Sequence, residues 1–219
     1  MSLCVIVPVK RLSRAKTRLS GFLPERAREE LVVEMLKCVL RAARESSAAS
    51  CVLVVSPDDR ILEIAREEGA LCLRDGGRGL NEAVERALEW CAERGFERAL
   101  VVLGDTPLIE ASDVDAMAAA APEPPAVVLA PSECGGTNCM LLYPPDVIEP
   151  SYGPGSFRRH LELAKRAGAR VAVYSSERTR LDVDEPEDLA RLLGSSARCG
   201  ELRAALERAL RGGARPGDL

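Results

Sequence analysis

Five cations, Lys10, Arg11, Arg14, Lys16 and Arg18, fall within nine positions of the stretch Pro8-Val9-Lys10-Arg11-Leu12-Ser13-Arg14-Ala15-Lys16-Thr17-Arg18-Leu19. Like charges this dense repel one another unless solvent or a polyanion offsets them. A triphosphate does so, with Lys as a point charge and Arg as a bidentate fork. The plainer alternative is a solvated basic loop. Neither G-x-x-x-x-G-K-[ST] nor G-x-G-x-x-G occurs here, so the stretch is neither a Walker A loop nor a dinucleotide fingerprint.

Carboxylates form the second candidate group. Asp105 stands in Gly104-Asp105-Thr106-Pro107, directly after the apolar run Ala99–Leu103. Asp182 and Asp184 stand in Leu181-Asp182-Val183-Asp184-Glu185-Pro186. If 181–184 is extended, the two point to one face. Carboxylates sharing a face repel unless a cation lies between them. With Asp105 they make a hard oxygen site suited to Mg²⁺ and phosphate oxygens. The competing reading is that Asp105 and one of the pair merely cap the helices that follow.

Gly135-Gly136-Thr137-Asn138 and Gly153-Pro154-Gly155-Ser156 read as a pocket for the second, anionic substrate. Glycines let backbone N–H groups approach an anion, and a helix N-terminus near Ser156 favours phosphate or carboxylate. His160, one turn on, faces the same pocket or is merely structural. Gly79-Leu80-Asn81 opens a helix and could read a purine base, unless Asn81 is a plain cap.

These residues need a scaffold that gathers them at one edge. Leu3–Val9, Cys51–Val55, Ala70–Leu73, Arg98–Leu103 and Ala126–Ala130 are short apolar runs, as expected of strands buried on both faces. Between them lie helical patterns over Pro24–Glu45, about 58–68, Asn81–Glu93 and Ala111–Ala120. Asn138–Tyr143 and Arg170–Tyr174 read as further strands, Ser156–Ala167 and Glu185–Leu193 as helices. Strand–helix alternation implies an α/β, single-domain, three-layer sandwich with a mostly parallel sheet. In such sheets ligands bind beyond the carboxyl ends of the strands. The main domain is expected over 1–194. A helical tail over 195–219 carries Leu202, Leu206 and Leu210 on one face, to dock on its own domain or on a partner.

Composition narrows the function. Net charge is −4 with no basic block beyond the Lys10–Arg18 stretch, and aromatics are 3%. Nucleic acid and anionic membrane are therefore not expected partners. No apolar run approaches the roughly 18 residues of a membrane span. The first ten residues read as a strand rather than a signal peptide. The expected location is cytoplasmic, and a homodimer is the default assembly. The eight cysteines contain no C-x-x-C and read as buried, reduced thiols. Lysine occurs only at 10, 16, 37 and 165, asparagine only at 81 and 138, and glutamine nowhere. Lys10, Lys16, Asn81 and Asn138, which escape that bias, all fall near strand ends.

Taken in order, V-P-V-K-R-L-S-R-A-K-T-R-L, G-L-N-E-A, L-G-D-T-P-L, G-G-T-N, Y-G-P-G-S-F-R-R-H and L-D-V-D-E-P-E-D-L resemble the 2-phospho-L-lactate guanylyltransferase family of coenzyme F-420 biosynthesis. The resemblance covers residues 3 to about 193. It implies a GT-A-like nucleotidyltransferase fold, GTP as donor, Mg²⁺ as metal, and 2-phospho-L-lactate or phosphoenolpyruvate as acceptor. On matching positions it implies Lys16, Arg18 and Asp105 as catalytic residues. It also implies Lys16 and Arg18 for the phosphates, Thr137, Gly153 and Ser156 for the acceptor, and Asp105, Asp182 and Asp184 for the metal. With the loop readings above, nucleotide binding is expected at Pro8, Val9, Lys10, Lys16, Arg18, Gly79 and Asn81, and acceptor binding at Thr137, Asn138, Gly153 and Ser156. Tyr152 stands where Phe is common, and Cys134 where a small or acidic residue is expected.

The rival expectation is a nucleotidyltransferase of the same fold acting on a sugar phosphate or the molybdenum cofactor. Those relatives usually carry a glycine-rich L-x-G-G-x-S-x-R signature after the first strand, and this loop is basic and lacks glycine. A further rival is a non-catalytic nucleotide-binding subunit, which would tolerate loss of Asp182 or Asp184.

Overall fold

The computed structural model describes residues 2–195 and 200–213. Its chain order is β1 (Leu3–Pro8), α1 (Glu25–Glu45), β2 (Cys51–Ser56), α2 (Asp59–Glu67), β3 (Leu71–Arg74), α3 (Leu80–Glu93), β4 (Arg98–Val102) and α4 (Ala111–Ala120). Then come β5 (Ala126–Pro131), β6 (Thr137–Tyr143), α5 (Ser156–Arg166), β7 (Arg170–Val173), α6 (Glu177–Arg180), α7 (Pro186–Gly194) and α8 (Gly200–Gly213). Two 3-10 turns, Leu12–Arg14 and Thr17–Leu19, sit inside the basic stretch. Those turns and α6 are too short to leave a periodic signal in sequence.

The strands form one sheet in the order β3-β2-β1-β4-β6-β5-β7. Four neighbouring pairs are parallel, and β6 alone runs against both β4 and β5. The C-terminal ends of the other six strands therefore share one edge with the N-terminal end of β6. That edge collects Pro8, Ser56, Val102 and Thr137, so the loops bearing the candidate residues converge there.

Alternation along the strands divides the core into two layers. Leu3, Val5 and Val7 of β1 pack with the helices α1, α2, α4, α7 and α8. Cys4 and Ile6 face α3 and α5 on the opposite side. All five are fully buried, which is why the run carries no polar residue. In α8, Leu202 and Leu206 are buried and Leu210 packs beside them, against the core that α1 also covers. Residues 196–199 and 214–219 of the expected tail, with Cys199, lie outside the described residues.

The cysteine expectation needs correction. Cys4, Cys51, Cys72, Cys91 and Cys139 are free and buried or half-buried, but Cys134 is free and exposed. Cys38, on the inward face of α1, is disulfide-bonded. A disulfide needs only two β-carbons within roughly 4.5 Å, a proximity that sequence spacing does not reveal.

Candidate functional site

The basic stretch is a pinned structure rather than a loose loop. Leu12, Ala15 and Leu19 are buried anchors. Asp58 Oδ2 accepts the Leu12 N–H at 3.0 Å while Oδ1 caps α2 through the Arg60 N–H. Arg28 Nη1 donates to the Ala15 carbonyl at 2.8 Å. Between these pins Lys16 adopts φ 47°, ψ 47°, the left-handed region. For a side-chain-bearing residue that backbone costs roughly 1–2 kcal/mol. The turn aims its ammonium inward, where Nζ lies 2.6 Å from Asp105 Oδ2 and 2.8 Å from Asp184 Oδ1.

The alternative reading of the carboxylates as helix caps does not hold. Glu110 caps α4 in a reciprocal box with Asp113, and Glu185 caps α7 in one with Asp188. Asp105, Asp182 and Asp184 instead line one cavity of about 350 Å³ with Lys10, Lys16 and Arg18. Segment 181–184 is extended enough to alternate. Leu181 and Val183 are buried, and the Val183 N–H donates to the Asp105 carbonyl at 3.2 Å. That bond holds the carboxylate segments side by side.

Burial and then the Asp105 charge raise the Asp182 carboxyl above the usual carboxylate range. Burial pulls Asp184 the same way, but the Lys16 charge and hydrogen bond outweigh it and hold Asp184 low. Burial likewise opposes the Lys16 charge, and Asp105 and Asp184 more than offset it. Among the described residues no group of three or more His, Cys, Asp or Glu side chains is arranged to hold a metal ion. The ammonium of Lys16 stands between Asp105 and Asp184. Arg18 pairs with Glu185 at 3.2 Å on the exposed rim, while Pro8, Val9 and Lys10 line the same cavity.

The second substrate's candidate residues form a separate cluster at the start of β6 and α5. Thr137, Ser156 and His160 are all buried. His160 Nε2 accepts the Ser151 N–H at 2.9 Å, so the neutral ring carries its proton on Nδ1 and donates it to Thr137 Oγ1 at 3.0 Å. Burial, then the neighbouring Arg159, push the imidazole down to about 4, which keeps it neutral. Ser156 Oγ lies 3.3 Å from Thr137 Oγ1. Two glycines here are required by geometry. A β-carbon on Gly136 would come within 2.9 Å of Ser132 Oγ, and Gly153 has φ 128°.

The two asparagines are already engaged. Asn138 Nδ2 donates to the carbonyls of Thr179 and Arg180, at 3.0 and 3.3 Å, and lies 3.5 Å from Asp182 Oδ1. Asn81 Oδ1 accepts the Tyr152 N–H at 2.6 Å, and Nδ2 donates to the Tyr152 carbonyl at 3.3 Å. Gly79, not Asn81, is the N-cap of α3. The Asn81 amide thus grips the peptide next to Gly153 and ties α3 to the second cluster. Gly79 lines a further compartment beside Lys10 and Asp75. Sequence reasoning offered Asp58 as a cap for α2, which it is, but its contact with Leu12 was not legible, and Arg28 and Asp75 were not singled out.

A family model described as guanylyl transferase CofC like matches residues 3–202. The phosphoenolpyruvate guanylyltransferase of Rubrobacter xylanophilus is 44% identical over 196 residues, 89% of this chain and 95% of that protein. The 2-phospho-L-lactate guanylyltransferase of Methanothermobacter thermautotrophicus is 38% identical, over 88% and 85% of the two chains. Among solved structures, a cytidylyltransferase from Leptospira borgpetersenii superposes with a TM-score of 0.62 at 17% identity, covering 97% of this chain and 94% of that one. That likeness speaks to the fold, which is of the GT-A-like nucleotidyltransferase type.

Proposed function

Because the chain belongs to the CofC-like guanylyl transferase family, we propose that it joins GMP from GTP to a small phosphorylated acid, 2-phospho-L-lactate or phosphoenolpyruvate, in coenzyme F-420 biosynthesis. The observation that carries this reading is one cavity where Lys10, Lys16 and Arg18 meet Asp105, Asp182 and Asp184.

In the proposed reaction a phosphate oxygen of the acceptor attacks the α-phosphorus of GTP in line. The new P–O–P bond forms as the α–β bond breaks and pyrophosphate leaves. The attacking oxygen is already ionised at neutral pH, so no general base is needed. Lys10, Lys16 and Arg18 hold the triphosphate. Thr137 and Ser156 hold the acceptor with the backbone at Gly153, and His160 fixes the Thr137 hydroxyl. Rate then comes from alignment and charge neutralisation.

Asp105, Asp182 and Asp184 are hard oxygen donors of the kind Mg²⁺ takes, and an ion among them would displace the Lys16 ammonium from Asp105 and Asp184 toward the phosphates. Held there, Mg²⁺ would supply charge neutralisation to phosphate oxygens. A cytoplasmic location and a homodimer belong to the same proposal. Among the described residues no helix is long and apolar enough to cross a membrane.

The test is pyrophosphate release with Mg²⁺, GTP and each acceptor in turn, with ATP in a parallel arm. Release with GTP and at least one acceptor is expected. No release with either acceptor, from protein that still binds GTP, overturns the reading in favour of a sugar-phosphate or molybdenum-cofactor nucleotidyltransferase.

A further inference from the structure

Beside the phosphate cavity lies a second compartment of about 280 Å³. Ligand pockets begin at roughly 300 Å³, so it has the scale of one ring system. The two spaces share Pro8, Val9, Lys10, Arg14 and Leu80. A nucleotide whose phosphates meet Lys10 and Lys16 therefore has its base directed here. Val9, Pro57 and Leu80 give the compartment apolar walls. Asn81 is not free to read a base, because both ends of its amide are bonded to Tyr152.

Among the described residues, Asp75 is the one acidic residue lining the compartment, which Lys10, Arg11, Arg14 and Arg78 also line. Its Oδ1 accepts the Gly77 N–H at 3.1 Å. Its Oδ2 has no hydrogen-bond partner among the described residues. Burial raises this carboxyl above the usual range, opposed by the Gly77 N–H. A half-desolvated acceptor of this kind gains from donors that replace lost water.

Resting on the proposed guanylyl transfer, we infer that Asp75 is the residue that selects guanine. The Watson–Crick edge of guanine offers a carboxylate two donors, N1–H and the 2-amino group. Adenine offers a ring-nitrogen acceptor at that position, which a carboxylate repels. Inosine keeps N1–H but lacks the 2-amino donor. The same site therefore ranks GTP above ITP and both above ATP.

Asp75→Asn tests the assignment. The asparagine Oδ1 still accepts the Gly77 N–H, while its Nδ2 turns a donor toward the base. That donor opposes the guanine 2-amino group and complements the 2-carbonyl of xanthine. A hydrogen bond to a charged group contributes roughly 1.5–3 kcal/mol, so kcat/KM for GTP should fall about 10- to 100-fold. Turnover with XTP should rise, and the GTP-over-ITP preference should vanish. An Asp75→Asn protein that keeps the GTP-over-ITP preference overturns the inference. Equal loss with GTP and XTP also overturns it, because a loop-shaping role has no base preference. These outcomes are separate from failure of the proposed reaction, which would show in the unaltered protein as no pyrophosphate release from GTP.

Discussion

The sequence contains a single histidine, so the protonation of His160 can be followed without ambiguity. The structure predicts that it titrates near 4 rather than at its ordinary 6.5, because burial and then Arg159 disfavour the charged ring. The geometry agrees. Nε2 already accepts the Ser151 N–H, and a second proton there would break that bond. In linkage terms the folded-state value is depressed. The stability it contributes is fully present above 6.5 and is lost as pH falls from 6.5 through about 4. At roughly 1.36 kcal/mol per unit, the full effect is about 3 kcal/mol, of which about 2 kcal/mol is gone at pH 5. The assay is twofold. The ring Cε1 proton resonance, titrated by NMR, should move with a midpoint near 4. Urea unfolding of the unaltered protein and of His160→Gln, each at pH 7 and pH 5, removes the carboxylate titrations common to both. The unaltered protein should lose about 2 kcal/mol more than the variant on acidification. A midpoint near 6.5, or equal losses, would refute the buried, neutral, Thr137-orienting imidazole.

Two further predictions bear on the site. Asp105→Asn should lower turnover by roughly 10²–10³-fold, the scale of losing a principal electrostatic contact. The fold should persist, because Lys16 keeps Asp184 at 2.8 Å; a well-folded, fully active variant in a rate assay paired with thermal melting would sink the role of Asp105. Asn81→Ala removes both bonds to Tyr152. It should raise KM for the acceptor about tenfold while leaving KM for GTP nearly unchanged, given roughly 1 kcal/mol per neutral hydrogen bond. The opposite split in steady-state kinetics would return Asn81 to base recognition.

The elements were legible wherever burial wrote a local pattern. β1, β2, β4 and β5 are apolar because both faces are covered, and their expected limits differ from those observed by a residue or so. What the sequence concealed was contact between distant segments. Nothing local in 137–143 tells that β6 reverses direction and inserts between β4 and β5. Asn81 and Asn138 were conspicuous as the only asparagines. Their partners lie 71 and at least 41 residues away, and those partners decide what the amides do. Lys16 announced a charge, but its left-handed backbone is visible only in three dimensions. Asp75 drew no notice in a glycine-rich loop until the walls around it were in place.

The Lys16 ion pairs have a consequence for how the molecule comes together. Lys16 meets Asp105 across 89 positions of chain and Asp184 across 168. Closing loops of that length is entropically costly, and such contacts reward the chain only late in folding. A nascent or truncated polypeptide can contain every helix up to α5 and still lack the second carboxylate partner. Helical circular dichroism would register such a species as largely folded, whereas guanylyl transfer would not register it at all. Activity is therefore the more stringent report of complete folding, because the cavity exists only when the two ends of the domain have met.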